Sequence, residues 1–553
     1  MDYWDCISNT VNLDKSRYLK ILCSKMYNIV KLPMILSIFL TFTYSFNAQN
    51  VLVSTDNFFE GEPSLAIDPS NNQHLIAAWM GFQFNQKIVI KSSVSWNGGT
   101  SWTAPIFQSH ESAGNSSADV SLGFDPQGNA YMCYIDYDNV GFSEGKVVVR
   151  KSTDGGISWS NSAEAINITD CPGQLCIDRP WMVIDPSGST VPAALYITTM
   201  NADQPSMVLA PYHPYLSVSL DGGQTFLNPR HLDTLNFLAG ATIPQPMPSP
   251  AVDGNGRLYA IYPSYLNTQS LYPRHVLAYT NDQGNSLDHL IAYQGVNIGV
   301  SNSQLKRAGK LMADESHPGH LAYCFLSELN DASDVYFMET NDGGSTWSTM
   351  QRVNQDPIGN NRIQDLVWGD FNEQGNLVIT WRDRRNAPGD GYNQPSEVYA
   401  ATKAYGASGF TQDYPITSQG IPHDTILEAS GNDFMSVVYV GDSCYAVWGD
   451  VRSGTLKIYL NKWHVGNPQN NLFLIGEEFS FNVYPNPSSD KLTINLPLEG
   501  PFSIHIFDEM GKLVFDEPSF SGNTIDIAKF KGTYTLEIFY QGKTYSTKFK
   551  AAK

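Results

Sequence analysis

Positive charge is scarce in this sequence. Only 16% of the 553 residues are charged, and 34 Lys and Arg face 54 Asp and Glu, which gives a net charge of −20. Such a chain repels nucleic-acid phosphates, so we expect no nucleic-acid partner. The sequence also lacks the GxxxxGKS/T, strand-linked GxGxxG and HExxH patterns, which argues against phosphate-cradling loops and helical zinc sites.

Long apolar runs are nearly absent as well. The run at 34–47 is too short for a comfortable membrane span. Lys25 and Lys31 precede it and the small Ala48 follows it, as in a secretory signal peptide. We therefore predict a signal peptide over 1–48, with translation starting at Met26, and no transmembrane span in the mature chain. An uncleaved anchor helix is the alternative.

Cysteine is also sparse, with seven in the chain and five after residue 48. Cys171 and Cys176 lie in CPGQLC, where Pro-Gly can turn the chain, so an oxidising compartment favours a local disulfide. No second cysteine pair or histidine cluster accompanies them, so we predict no metal site. Cys133, Cys324 and Cys444 occur in apolar strand-like runs and are predicted to be buried thiols.

Glycine and aromatic residues are abundant, as in a turn-rich β protein. The pattern S/T-x-D/N-x-G-x-S/T-aromatic or apolar recurs five times, at 95–102, 152–159, 219–226, 280–287 and 340–347. An Asp or Asn at its third position can cap backbone N–H groups of a tight turn, and Gly accepts a positive φ. The third-position residues, predicted to be structural, are Asn97, Asp154, Asp221, Asp282 and Asp342.

A second unit, two apolar strands around a polar turn, recurs seven times between residues 63 and 448. Together, the two patterns resemble the Asp-box, or BNR, repeats of sialidase-like β-propellers. The resemblance implies an all-β propeller over 49–465, and the seven units predict seven blades. Six blades are the alternative, because the catalytic sialidases have six. The segment 50–59 is predicted to supply the missing outer strand of the last blade.

A polar linker at 466–474 separates this region from a module at 475–553 that contains no Trp and no Cys. The module resembles the type A C-terminal sorting domain of the type IX secretion system, through Tyr484 to Pro487, Asp490 to Leu492, Gly511-Lys512, Gly532 to Tyr534 and a basic end. The resemblance implies a small β-sandwich, a partnership with the type IX secretion machinery, and passage through the periplasm. The protein is then secreted or displayed on the outer-membrane surface.

Propeller ligands bind where loops enter the first strand and leave the second. Counting six positions back from the turn Asp of the first six units gives Glu62, Asp119, Arg179, Met247, Ala308 and Gln364, with Asp365 beside the last. The loops that leave the second strands add Asp136, Arg382, Asp383, Arg385, Asp450 and Arg452. These side chains either line a grafted site or pair with one another across the blades.

The favoured function is a non-catalytic module that binds an extracellular glycan or protein. The alternative is a glycoside hydrolase of the exo-α-sialidase type, which the family performs with an arginine triad, a Tyr nucleophile and an Asp acid/base. The catalytic candidates are Asp119, Arg179, Arg362, Arg382 and Asp383. However, no arginine occurs between Ala48 and Val149, so the family's first arginine motif is absent.

A third alternative is an adhesin stabilised by calcium through the acidic loop at 136–139. That loop has no EF-hand spacing. We expect no cofactor. Calcium is the alternative, and no sequence motif supports it.

Overall fold

The computed structural model describes residues 50–552, except 57, 85–86, 203, 205, 296–308, 424–431, 466–481, 496–501, 509–511, 521, 523 and 541–542. The predicted signal peptide and linker therefore lie outside the described residues. Strands make up nearly all regular structure in the described part, and a 3₁₀ turn at Ile168–Asp170 is its one helical element.

Seven four-stranded antiparallel sheets follow one another along the chain, and we number them blades 1 to 7. Blade 1 contains Glu60–Asp68, Asn71–Gln83, Lys87–Ser95 and Ile106–Phe107; blade 2 contains Ser116–Phe124, Ala130–Tyr137, Gly145–Ser152 and Ala163–Asn167; blade 3 contains Asp178–Ile184, Leu195–Met200, Tyr215–Ser219 and Arg230–His231. Blade 4 contains Ser249–Val252, Leu258–Ser264, Arg274–Thr280 and Asp288–Gln294; blade 5 contains Lys310–Ala313, Leu321–Ser327, Asp334–Thr340 and Gln351–Arg352. Blade 6 contains Gln364–Phe371, Leu377–Asp383, Glu397–Lys403 and Tyr414–Pro415; blade 7 contains Ser436–Val440, Ser443–Asp450, Lys457–His464 and Val51–Leu52.

The blades form a closed ring with a divided core. Seven buried apolar clusters lie one at each junction between neighbouring blades, including the junction of blade 7 with blade 1. Inner strands are also tied together by serine hydroxyls, which accept a hydrogen bond from the next blade's backbone. Ser64 accepts from Leu122 N at 3.0 Å, and Ser249 accepts from Leu311 N at 2.9 Å. The all-β propeller fold predicted from the repeats is confirmed.

The amino-terminal strand closes the ring. Val51 pairs with Leu460 and Leu52 with Tyr459, and Val53 N donates to Ile458 O at 2.9 Å. The prediction that 50–59 supplies the outer strand of blade 7 is thus confirmed. Val53 is 1% exposed, whereas Phe58 is 55% exposed and adds little burial.

The five sequence boxes form the turns between the third and fourth strands of blades 1 to 5. In blade 2, Asp154 Oδ1 accepts from Ser158 N at 3.0 Å and from Ser152 Oγ at 2.8 Å. Asn97 accepts in the same way from Ser101 N at 2.9 Å. The same pattern recurs at Asp221, Asp282 and Asp342. These contacts stay within each turn, which fits the structural role proposed for the five residues.

The carboxyl-terminal module consists of two sheets. A three-stranded sheet contains Asn482–Tyr484, Lys491–Asn495 and Thr524–Asp526, and a four-stranded sheet contains Leu513–Phe520, Phe502–Phe507, Gly532–Tyr540 and Lys543–Ala551. Apolar side chains from both sheets, including Leu492, Ile504 and Leu536, form a single buried cluster. Two sheets that share one core form a small β-sandwich.

Candidate functional site at the channel mouth

Four inner strands carry a residue with left-handed backbone close to their first residue. Glu62, Asp119, Arg179 and Leu366 have φ of 55°, 56°, 50° and 55°, a conformation uncommon for residues other than glycine. In each case the strand register shifts at this point, as at a β-bulge. Such bulges aim side chains away from the regular pleat, here at the mouth of the central channel.

Blade 6 corrects the predicted alignment. The predicted equivalent of Glu62 was Gln364, counted back from Asp370. The turn is instead made by Asn372, whose Oδ1 accepts from Gln374 N at 3.1 Å and Asn376 N at 2.8 Å. The equivalent residue is therefore Leu366.

The side chains at the mouth form a charged cluster of four carboxylates and one guanidinium, which we call the mouth cluster: Glu62, Asp119, Asp178, Arg179 and Asp433. Arg179 Nη2 donates to Asp433 Oδ2 at 2.7 Å, and Arg179 N donates to Asp119 Oδ2 at 3.3 Å. Glu62 Oε1 accepts from Asp433 N at 3.2 Å. Blades 1, 2, 3 and 7 thus meet at one point.

The crowding of carboxylates shifts their protonation. Burial, followed by the negative charges of Asp119 and Asp433, raises the pKa of Glu62 well above its usual value. Burial, followed by the charge of Asp119, likewise raises the pKa of Asp178, although Arg179 opposes the shift. Both carboxyls lie within hydrogen-bonding reach of Asp119, so the row can share protons. Such a row can donate as well as accept hydrogen bonds.

An aromatic floor lies beneath the mouth cluster, built by Trp181, Trp368 and Phe434. The ring of Trp181 meets Trp368 edge-on at 5.7 Å and Phe434 at 6.0 Å between centroids. The Arg179 guanidinium lies over Phe434 at 5.3 Å. Aromatic surface beneath convergent polar groups is a common composition for a small-molecule site.

The other acidic and basic candidates pair locally. Trp381 Nε1 donates to Asp383 Oδ2 at 2.8 Å, and Arg385 Nη2 donates to the same oxygen at 2.7 Å. Blade 7 repeats this arrangement, since Trp448 Nε1 and Arg452 Nη2 both donate to Asp450 Oδ2, at 2.9 and 2.5 Å. We call these two groups the Trp-Asp-Arg locks. Their side chains fasten loops rather than join the mouth cluster.

The remaining candidates are held in separate places. Asp365 accepts from both Arg382 and Arg384 and is fully buried. Arg362 Nη1 donates to Gly389 O and lies 3.3 Å from Asp390. Arg179, Arg362 and Arg382 are thus each bound by their own partners, and no contact between described residues joins them into a triad.

The calcium alternative depends on Asp136 and Asp138. Asp136 lies at the end of the second strand of blade 2, and Asp138 lies in the loop that follows it. The buried Asp136 carboxylate accepts from Asn115 Nδ2 at 2.7 Å and Ser117 Oγ at 2.8 Å, and contacts His110 at 2.8 Å. Asp138 accepts from Val140 N and Ser143 Oγ. Both carboxylates therefore have protein partners, which for Asp136 come from the first strand of blade 2 and the segment before it.

A metal-ligating group occurs elsewhere, on blade 3. His213, His231 and Asp233 bring one ligand atom each within 4.8 Å of one another. The two imidazole rings are stacked 3.9 Å apart with an interplanar angle of 7°. Ring nitrogens bind metals in the ring plane, so stacked parallel rings direct their lone pairs past a shared ion.

The cysteines have the expected environments. Cys171 and Cys176 form a disulfide in the loop that precedes blade 3. Cys133, Cys324 and Cys444 are free and buried, as predicted.

Sequence reasoning found Glu62, Asp119 and Arg179 but missed Asp433 and the aromatic floor. A signal for the floor exists, because Trp181 and Trp368 each occur two residues after an equivalent left-handed residue, Arg179 and Leu366. It was hidden by the two-residue error in the alignment of blade 6. Asp433 has no such signal, since blade 7 lacks the turn Asp used for the count.

Residues 482–550 match the family model of the secretion system C-terminal sorting domain. This domain marks proteins that the type IX secretion system exports to the cell surface or the extracellular space. The chain is therefore an exported protein that engages this machinery. Among the described residues, none of the helices has the length and apolar character needed to cross a membrane.

The fold is similar to that of several solved structures at 12% identity. The Hadza microbial sialidase Hz136 aligns with 73% of this chain and 66% of its own, just under two thirds, with a TM-score of 0.39. The NanB sialidase of Streptococcus pneumoniae aligns with 76% of this chain and 71% of its own, with a TM-score of 0.39. An α-L-arabinanase of Penicillium chrysogenum, complexed with arabinobiose, aligns with 75% and 97%, with a TM-score of 0.40. The comparison with curated proteins gives no match.

Proposed function

We propose that the exported propeller binds an extracellular glycan at the mouth of its central channel. The observation that carries the proposal is the contact between the mouth cluster and the aromatic floor, where the Arg179 guanidinium lies 5.3 Å from the centre of the Phe434 ring. Sugar rings present hydroxyls at their edges and apolar C–H groups on their faces. Carboxyls that accept and donate hydrogen bonds suit the hydroxyls, and the partly buried ring of Trp368, packed against the buried Trp181, suits the faces.

A glycan array probed with the mature exported chain tests this proposal. We expect binding that is weakened about tenfold or more by Asp178→Asn or Arg179→Gln, since each removes a hydrogen-bonding group of the site. Asp288→Asn is the matched control, because Asp288 is exposed on the outer strand of blade 4. A protein ligand remains the alternative partner. Array binding that is equal in all three variants would place the glycan elsewhere on the molecule.

A glycoside hydrolase is the second candidate, and the raised pKa values of Glu62 and Asp178 favour it. A glycosidase needs one carboxyl that stays protonated as the acid and a second that is ionised. A panel of aryl glycosides, including a sialoside, tests this function. We expect any turnover to vanish in Glu62→Gln and to persist in Asp288→Asn. We expect no turnover of the sialoside, because the three candidate arginines are bound separately.

A further inference from the structure

The charge of the mouth cluster is unbalanced. It brings four carboxyl groups around one guanidinium, and that guanidinium is already paired with Asp433. In the described part of the chain, no lysine or arginine forms an ion pair with Glu62, Asp119 or Asp178. The row shares protons, and a cation that reaches these three carboxyls can displace those protons and gain the negative potential of the ionised groups.

Glu62 provides an acceptor that no N–H or hydroxyl of the described residues reaches. The residue is 3% exposed, and its Oε1 accepts from Asp433 N. Its Oε2 is buried without a hydrogen-bond partner. A buried carboxylate oxygen is costly unless a donor reaches it. Asp119, itself an acid, can reach Glu62 only through a shared proton, and a ligand N–H can take the place of that proton.

The walls of the site already hold cations of the chain itself. Arg179 lies over the ring of Phe434, and Lys310 Nζ lies over the ring of Trp368 at 4.8 Å. Burial lowers the pKa of Lys310, while the charge of Asp370 opposes the shift. Aromatic faces next to carboxylates are the surroundings in which proteins hold ammonium groups.

A metal ion fits these carboxyls less well than an amine does. Within the described residues, the group of three ligand atoms that approach within 4.8 Å is the one on blade 3, not the mouth cluster. The row Glu62–Asp119–Asp178 is thus too extended for a ready-made metal site. Several amino groups spaced along a ligand can each contact one carboxyl of such a row.

We propose that the mouth cluster recognises a glycan through free, positively charged amino groups, as in polymers of unacetylated amino sugars. This inference rests on the proposed glycan-binding function and specifies its ligand. The ammonium groups contact Glu62, Asp119 and Asp178, and the sugar faces lie against the aromatic floor.

The test compares two hexasaccharides with the same β-1,4 backbone, one of glucosamine and one of N-acetylglucosamine. They differ in the charge of the amino groups and in the acetyl caps. Titration calorimetry with the mature exported chain is expected to give at least about tenfold tighter binding of the glucosamine hexamer. The advantage should shrink when sodium chloride is raised from about 0.05 M to about 0.5 M, because salt screens the ion pairs.

The variants locate the effect. Glu62→Gln and Asp178→Asn should each weaken the glucosamine hexamer about tenfold or more, whereas Asp288→Asn should change its affinity less than about twofold. Asp178 is partly exposed, so its variant remains informative if Glu62→Gln fails to fold, as judged by its melting curve.

The outcomes separate the two proposals. Equal or tighter binding of the acetylated hexamer overturns the cationic inference, and so does binding of another neutral glycan when neither hexamer binds; both leave the glycan function standing. Absence of binding to any glycan overturns the proposed function itself. Binding of hexalysine that is lost in the same two variants would overturn the glycan assignment in favour of a basic peptide.

Discussion

Arg179 and Asp433 are 254 residues apart in sequence, yet Arg179 Nη2 and Asp433 Oδ2 are 2.7 Å apart. This ion pair joins blade 3 to the loop that enters blade 7. It spans the channel, whereas most other contacts between blades join neighbours. The pair therefore couples distant parts of the ring at the same place where the ligand is proposed to bind.

The two partners should differ in their effect on stability. Asp433→Asn removes one of four carboxylates, so the remaining three still compensate Arg179, and we expect a loss of about 1–2 kcal/mol. Arg179→Gln leaves four buried or half-buried acids together without a cation, and we expect a loss of about 3 kcal/mol or more at neutral pH. Urea denaturation measures both. A larger loss in Asp433→Asn than in Arg179→Gln would show that the cluster does not depend on its cation.

The box aspartates predict an acid-labile contribution to stability. Hydrogen bonds from Thr346 and Thr340 lower the pKa of Asp342 to about 2, below the value of about 3.9 of an unfolded chain. A carboxyl whose pKa is lower in the folded state stabilises the protein above about pH 3.9. This stabilisation is lost as the pH falls towards 2.

Thermal melts between pH 5 and pH 2 should therefore fall less steeply in Asp342→Asn, which keeps the acceptor but cannot ionise. Asn97→Asp provides the reverse control, because it adds the ionisable group to a box that lacks one, and it should steepen the fall. Identical slopes in both variants and the wild type would contradict this origin of acid sensitivity.

The Trp-Asp-Arg locks predict a contrast between two arginines near blade 6. Arg385 pairs with the buried Asp383 and Asp413, at 2.7 Å each. Arg385→Ala leaves both carboxylates buried without compensation and should cost about 3–5 kcal/mol. Arg362 contacts a carbonyl and the exposed Asp390, so Arg362→Ala should cost less than about 1 kcal/mol. Chemical denaturation of the two variants measures both losses of unfolding free energy. Equal losses would contradict the stabilising role of Arg385.

Ring closure predicts the behaviour of an amino-terminal truncation. A chain that starts at Glu60 loses the strand Val51–Leu52 and the buried Val53, which exposes the edge Lys457–His464. Burial of a large apolar side chain contributes about 1.5–3 kcal/mol, and an open edge favours association. We expect oligomers or aggregates by light scattering, and a monomer for a chain that starts at Gln49.

The control for this truncation is Phe58→Ala in the full chain. It should change neither the oligomeric state nor the melting temperature, because Phe58 is largely exposed. A monomeric truncated chain with an unchanged melting temperature would contradict the role of the first strand.

The sorting domain predicts a change in location. Removal of 475–553 should leave the propeller folded but retained in the periplasm, because its core lies at the junctions between blades and the export signal is gone. Cell fractionation with protease-resistance assays measures both properties. Export of the shortened chain would show that the signal lies elsewhere.

Local chemistry explains which features were predictable from sequence. The boxes are made by residues within about five positions of one another, and so is the turn in blade 2 where Asp125 Oδ1 accepts from Gln127 N and Asn129 N. Spacing alone therefore identifies them. The alignment of blade 6 was wrong because Asp370 and Asn372 are both residue types that make such turns. The hydrogen bonds from Gln374 N and Asn376 N, which the sequence does not show, identify Asn372 as the turn residue. The mouth cluster depends on approaches between blades 1, 2, 3 and 7, and no pattern along the chain reports those distances.

The closing strand also has a consequence for the timing of folding. Ser54 accepts a hydrogen bond from Ile458 N across 404 residues, so the first strand stays unpaired until the last blade has been synthesised. Contacts this remote in sequence form slowly, because a long loop must close before they stabilise anything. A chain that emerges from the ribosome amino end first therefore cannot complete its ring early. The ring of the precursor therefore stays open until the last blade has left the ribosome, and the edge of its first strand is exposed throughout that time.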